Sequence, residues 1–120
     1  PDNGRKLMHS INIKGQDVEL VAPTSVADAY DCLTALGNNA TRGMAAALGL
    51  CARGPHKPAA RLKSHSQSDW LRFGGDVIDH YAKQGVALDE WLPQANEAVE
   101  LVASVVSGTT HDEVTKAEGN

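Results

Sequence analysis

The hydrophobic pattern is clearest between residues 66 and 85. Trp70, Phe73, Gly74, Val77, Ile78 and Tyr81 fall at i, i+3, i+4, i+7, i+8 and i+11, one face of a 3.6-residue helix. Ser66 followed by Asp69 has the form of a capping box. Arg72 with Asp76 and Asp79 with Lys83 sit at i, i+4 on the polar side, and Gly85 supplies a left-handed stop. Upstream the period changes to two: Leu7, His9, Ile11 and Ile13 alternate, a turn at Lys14-Gly15-Gln16 follows, and Val18, Leu20 and Ala22 alternate in return, which predicts a β-hairpin over 7–22. Pro23 closes the return strand. Thr24-Ser25 with Asp28 predicts the start of a helix over about 26–36, with Val26, Ala29, Tyr30, Leu33 and Leu36 as its stripe. After the Gly37-Asn38-Asn39 breaker a second helix is expected over 41–52, with Met44, Ala47, Leu48 and Cys51 on one side.

A last helix is predicted from a cap at Asp89 to about residue 106, with Pro93 in its first turn. Trp91, Ala95, Ala98, Val99, Val102, Val105 and Val106 form its stripe. It should pack antiparallel to the 66–85 helix, with Gly74 and Ala95 or Ala98 giving close approach. The fold class is therefore α+β, mostly α: an N-terminal hairpin followed by about four helices, the last two packed antiparallel. Residues 1–6 read as a flexible arm, 7–106 as one globular domain whose helical part covers 25–106, and 107–120 as a flexible polar tail.

Composition narrows the possible functions. With 120 residues, 42% hydrophobic, 22% charged and only 4% aromatic, the chain can bury a core without staples, and its many small residues imply close helix packing. The net charge of -4 argues against global attraction to nucleic acid or an anionic membrane. No apolar run is long enough to span a bilayer and PDNGRK has no signal-peptide core, so the chain is expected to be soluble and intracellular. Cys32 and Cys51 match no paired-ligand spacing and read as buried thiols. Residues 53–65, RGPHKPAARLKSH, hold four of the eleven basic residues, with two prolines and two histidines. This basic crossover reads as a solvated loop or as a partner-binding loop that orders on assembly.

Catalytic chemistry finds no constellation. Asp76, Asp79 and His80 share a helix face, but no third ligand accompanies them, and Asp28 with Asp31 reads as a favourable first-turn charge and a surface acid. His9, His56, His65 and His111 are scattered, and no phosphate loop, nucleophile elbow, HExxH or CxxC occurs. The chain is expected to be a non-enzyme without cofactor, bound metal or small-molecule substrate. Its candidate partner-binding residues are Ile11 and Ile13 on the hairpin, whose edges invite strand addition, and Arg53, Lys57, Arg61 and Lys63 on the crossover.

The order of elements, a hairpin ending in VELVAPTSVADAY, a helical middle, then WLRFGGDVIDHYAKQGVALDEWLPQANEAVELV, resembles small morphogenesis proteins of tailed bacteriophages, including tail-assembly-chaperone-like proteins. The resemblance is one of layout over residues 10–106. It implies a non-enzymatic protein that engages virion components or the tape-measure protein, works in the host cytoplasm during assembly and is either released or retained in the virion. The other reading is a small DNA-binding regulator using the helix pair over 26–52 and the basic loop over 53–63. Base-reading side chains on its second helix are scarce, Asn39 and Arg42 only, so nucleic acid is the less expected partner, and a membrane is not expected.

Overall fold

The computed structural model describes residues 8–108; the expectations for the arm, for Leu7, for His111 and for the tail beyond Gly108 lie outside it. The described residues open with strands β1 (Met8–Ile13) and β2 (Gln16–Val21), antiparallel with Ile13 opposite Gln16 and Met8 opposite Val21. The connection is the two-residue turn Lys14-Gly15. Both residues have positive φ, 50° and 85°, the primed geometry that matches strand twist. Asn12 fixes it, its side-chain oxygen accepting from the Gly15 N–H at 3.0 Å while its amide donates to Asp17 at 2.9 Å. Ile11, Ile13, Val18 and Leu20 are all buried, so this face of the hairpin is core.

Helix α1 (Val26–Asn38) starts at Ser25, whose hydroxyl accepts from the Asp28 N–H at 3.1 Å. Helix α2 (Ala40–Cys51) follows after a single residue. Asn39 serves both: its N–H donates to Ala35 O at 2.9 Å, ending α1, and its side chain accepts from Arg42 N at 3.0 Å, starting α2. The face that α1 buries is Ala29, Cys32 and Ala35, whereas Val26 and Tyr30 are half exposed. The expected stripe is thus turned on the helix axis, because small side chains let α1 lie closer to its neighbours than the large ones would. A two-residue strand β3 (Ala52–Arg53) then pairs antiparallel with β2, giving sheet order β1-β2-β3.

Helix α3 (Gln67–Lys83) matches the predicted element closely. Ser66 caps it, accepting from Asp69 N at 3.2 Å and donating to the Asp69 carboxylate at 2.9 Å. Trp70, Phe73, Gly74, Val77 and Tyr81 are buried; Gly85, at φ 75°, closes it with Val86 N–H donating to Tyr81 O. Arg72 turns to Asp69, at 3.9 Å, instead of to Asp76. The predicted last helix is broken into α4 (Leu88–Trp91), a 3-10 turn (Leu92–Ala95) that absorbs Pro93, and α5 (Asn96–Val106). Its start is Ala87, not Asp89. The Glu90 carboxylate reaches back to the Ala87 N–H at 2.7 Å and also takes Lys14 Nζ at 3.2 Å, tying the hairpin turn to α4. That backbone bond, with Lys14 second, holds the Glu90 carboxyl below its usual range.

The α+β, mostly α architecture is as expected, but the partner of α3 differs. It packs along α2, and α5 lies across α1 and α2. The close approach at Gly74 is to the Arg42 carbonyl of α2, so tight that a Cβ there would overlap the oxygen, and not to Ala95 or Ala98. A Cβ on Gly49 would likewise lie 2.7 Å from Phe73, and one on Gly43 would overlap Leu36 of α1. Trp70 and Trp91 are fully buried, and Trp91 stacks on Tyr81 with ring centroids 4.8 Å apart.

Two outcomes follow from this packing. Gly74→Ala should destabilise by about 2–3 kcal/mol through backbone displacement, whereas Gly37→Ala, with open space around its Cβ, should be neutral or stabilising by about 0.5 kcal/mol; urea denaturation separates them. Alkaline pH should also unfold the protein. Burial pushes the Cys32 and Cys51 thiols from 9.0 to about 12 and the Tyr81 hydroxyl from 10.0 to about 12. Folded values raised above unfolded ones mean stability is intact below about pH 9 and lost as pH rises toward 12. A Cys32→Ala/Cys51→Ala double variant, followed by circular dichroism, should lose much of that alkaline slope.

Candidate functional site

Two surfaces carry the residues singled out from the sequence, one on the sheet and one on the crossover that leaves it at β3. The first is β1, the outer strand. Because a two-residue turn makes Ile13 and Gln16 a hydrogen-bonded pair, bonding alternates along the ladder, and Ile11 and His9 also face β2. The backbone groups of Met8, Ser10 and Asn12 therefore point away from β2. No hydrogen bond from any described residue reaches them. The side chains of Ile11 and Ile13, 6% and 1% exposed, are core, which corrects the expectation that they touch a partner: they hold the strand in place while its backbone is the exposed chemistry. His9 Nδ1, 3.2 Å from Glu97, braces the same strand against α5. The other sheet edge is partly covered, since β3 pairs with Glu19 and Leu20 of β2.

The second surface is the crossover, which is a fitted strap and not a solvated loop. Pro58 is buried, Ala60 and Leu62 are half buried against the core, and Lys57, Arg61 and Lys63 are exposed. This alternation is partly visible in the sequence, where Lys57, Arg61 and Lys63 flank apolar residues at 58, 60 and 62 and Ala59 breaks the strand-like period of two. Arg53 parts from the other cations. Its guanidinium folds back to donate to Leu50 O at 3.0 Å and Ala52 O at 2.8 Å, capping the C-terminal end of α2.

His80 pins the middle of the strap. Its Nδ1 accepts from the Ala59 N–H at 3.1 Å, so that nitrogen is unprotonated and the proton of the neutral ring sits on Nε2. Nε2 lies 2.9 Å from the Gln84 amide, which must present its oxygen. Desolvation, with Lys83 second, lowers the His80 pKa and keeps the ring neutral. At the far end of the strap His65 Nδ1 meets Asp28 of α1 at 3.0 Å. Asp69 is held below its usual range first by the hydroxyls of Ser64 and Ser66 and then by Arg72 and Lys63.

Asp76, Asp79 and His80, with Ala59, Lys83 and Gln84, line an open cavity of about 300 Å³. The structure brings the three together on one side of α3, but among the described residues no group of three or more His, Cys, Asp or Glu side chains is placed to hold a metal ion. Also among them, no helix is long and apolar enough to cross a membrane. The helix pair offers little for base reading: Asn39 caps α2, Arg42 reaches toward Leu71 O at 3.5 Å beside Gly75, and α2 is buried at Gly43, Ala45, Ala46, Ala47, Leu48 and Cys51. No family model, curated protein or solved structure matches the chain.

The His80 contact makes the strap pH-sensitive with a defined sign. A folded pKa below the ordinary 6.5 means the contact contributes fully above that value and is lost as pH falls through the folded one. Hydrogen exchange at Ala59, corrected for intrinsic rate, should accelerate several-fold between neutral and mildly acidic pH. In His80→Ala it should be fast at both.

Proposed function

We propose that the chain is a non-enzymatic assembly protein of tailed-bacteriophage particles, a tail-assembly-chaperone-like factor or minor virion component, that engages virion or tail proteins, or further copies of itself, by strand addition at β1. The observation that carries this reading is the outer edge of β1. Folded proteins normally blunt such an edge with lysine, proline, a bulge or a covering segment. Here six residues, MHSINI, run without proline, lysine or bulge, and Ile11 and Ile13 keep the strand straight by anchoring it in the core. A preformed edge loses little entropy on pairing, and its main-chain groups supply affinity without a side-chain code. The hairpin-plus-helices layout, the resemblance to phage morphogenesis proteins and the lack of a catalytic constellation in the sequence support the same reading. The DNA-regulator alternative draws mainly on the exposed cations of the strap, since Asn39 and Arg42, though exposed, are already hydrogen-bonded within the chain.

The register designates the test. Ile13→Pro would break the hairpin itself, because the Ile13 N–H faces β2; Ser10→Pro removes an outward N–H and leaves the ladder intact. Wild-type protein should associate in sedimentation experiments as concentration rises, or on mixing with purified tail-tube or tape-measure protein. Ser10→Pro should melt near wild type yet remain monomeric and unbound. A wild-type chain that stays monomeric alone and in both mixtures overturns the proposal.

A further inference from the structure

The cations of the chain are unevenly occupied. Lys14 pairs with Glu90, Arg53 caps α2, Arg42 reaches toward Leu71 O, and Arg72 pairs with Asp69. Lys57, Arg61 and Lys63 are exposed, and none is in an ion pair with a described residue. Three cations without an ion pair within seven positions stand out on a molecule of net charge -4, Lys63 being the one whose charge reaches a carboxylate, that of Asp69. They are also held in place. Pro58, Ala60 and Leu62 seat the strap on the core, Ala59 is fixed by His80, His65 by Asp28, and internal bonds run from Lys57 N to Gly54 O and from Ala60 N to Pro58 O.

We propose that the strap is a docking rail for an extended acidic segment of a partner protein, read by Lys57, Arg61 and Lys63. It names the chemistry of the partner, and it rests on the assembly reading only for the partner being a protein. Six residue steps span at most about 20 Å, so an extended peptide of similar length with carboxylates at alternate positions matches the row. The strap is already ordered, so little conformational freedom is lost when a segment lies along it.

The neighbouring charges favour a peptide over a nucleic acid. Asp69 stands close enough to Lys63 to feel its charge, and Asp76 and Asp79 line the cavity beside Ala59 and His80, with Lys83 the one cation there. A phosphate ladder has a fixed repeat and carries charge at every step, so it would meet those carboxylates. An acidic peptide can place its charges only where the cations are. Three exposed contacts give modest affinity and strong sensitivity to salt, which suits a contact that steers a partner onto the molecule before a larger interface closes.

The test uses the whole chain and a fluorescent dodecapeptide of alternating Glu and Ser, with its Gln-Ser counterpart and an oligothymidylate of the same length as comparators. Anisotropy should show that the Glu-Ser peptide binds at low salt and is released at high salt, with the Gln-Ser peptide not bound. Lys57→Glu/Arg61→Glu/Lys63→Glu should weaken binding by about tenfold or more, the triple Gln variant should weaken it less, and Arg72→Gln should leave it unchanged. Circular dichroism checks that each variant is folded. No binding of the Glu-Ser peptide at low salt, equal binding by the folded triple variants, or tighter binding of the oligothymidylate would each overturn the proposal, the last in favour of nucleic acid. Ser10→Pro should bind the peptide as wild type does, so the rail and the β1 edge fail or stand separately.

Discussion

Helix α2 is held to its neighbours by backbone proximity, and that contact governs the rest of the architecture. Gly43 lets the Leu36 backbone of α1 come in, Gly74 admits the Arg42 carbonyl, and Gly49 receives Phe73 and Val77. Between these points α2 offers the run Ala45, Ala46 and Ala47, which adds volume without bulk. Glycines lower intrinsic helix propensity by about 1 kcal/mol each relative to alanine. Here that cost is offset by dispersion contacts over a long stretch of closely apposed backbone. With α2 buried this way, the large aromatics Trp70, Tyr81 and Trp91 fill the space that remains toward α4.

Burying α2 leaves the chain with two problems of connection. It must travel from the end of α2 to the start of α3, and it does so as a strap that seats Pro58, Ala60 and Leu62 against the core. The hairpin, in turn, must cover the remaining apolar face, which it does with Ile11, Ile13, Val18 and Leu20, with Lys14 and His9 fastened to Glu90 and Glu97. Both solutions present regular, pre-ordered chemistry outward: backbone groups along β1, ammonium and guanidinium groups along the strap. A buried cost remains in the Trp70 indole N–H and the Tyr81 hydroxyl, which have no hydrogen-bond partner among the described residues.

Local signals in the sequence are legible where a single element decides the outcome. The Ser25 and Ser66 caps, the Gly85 stop, the hairpin and the α3 stripe all follow from short-range chemistry. Longer-range packing was less legible. Periodicity weights large side chains, so it places Val26 and Tyr30 beside Ala29 in the core of α1, when the face that is buried is Ala29, Cys32 and Ala35. The same bias overlooks the close contacts that Gly43 and Gly49 permit and matches Gly74 to the wrong helix. Pro93 suits the first turn of one long helix by local rules, but the chain tightens to a 3-10 turn there. On the two surfaces, the sequence located the strap but not its order, and it named Ile11 and Ile13 when the outward groups belong to Met8, Ser10 and Asn12.

Asn39 has a mechanical meaning. One residue ends α1 and begins α2, so the joint between them contains no slack. Each helical residue advances the side-chain direction by about 100°, so the rotational phase of α2 relative to α1 is set by that one position. Adding or deleting a residue at the joint would swing Gly43 off Leu36 and carry Gly49 away from Phe73 together, since both glycines ride on the same rigid helix. In lineages that share this chain's packing, length variation should therefore collect in the strap and at the turns, while the spacing from Ser25 to Gly49 stays constant.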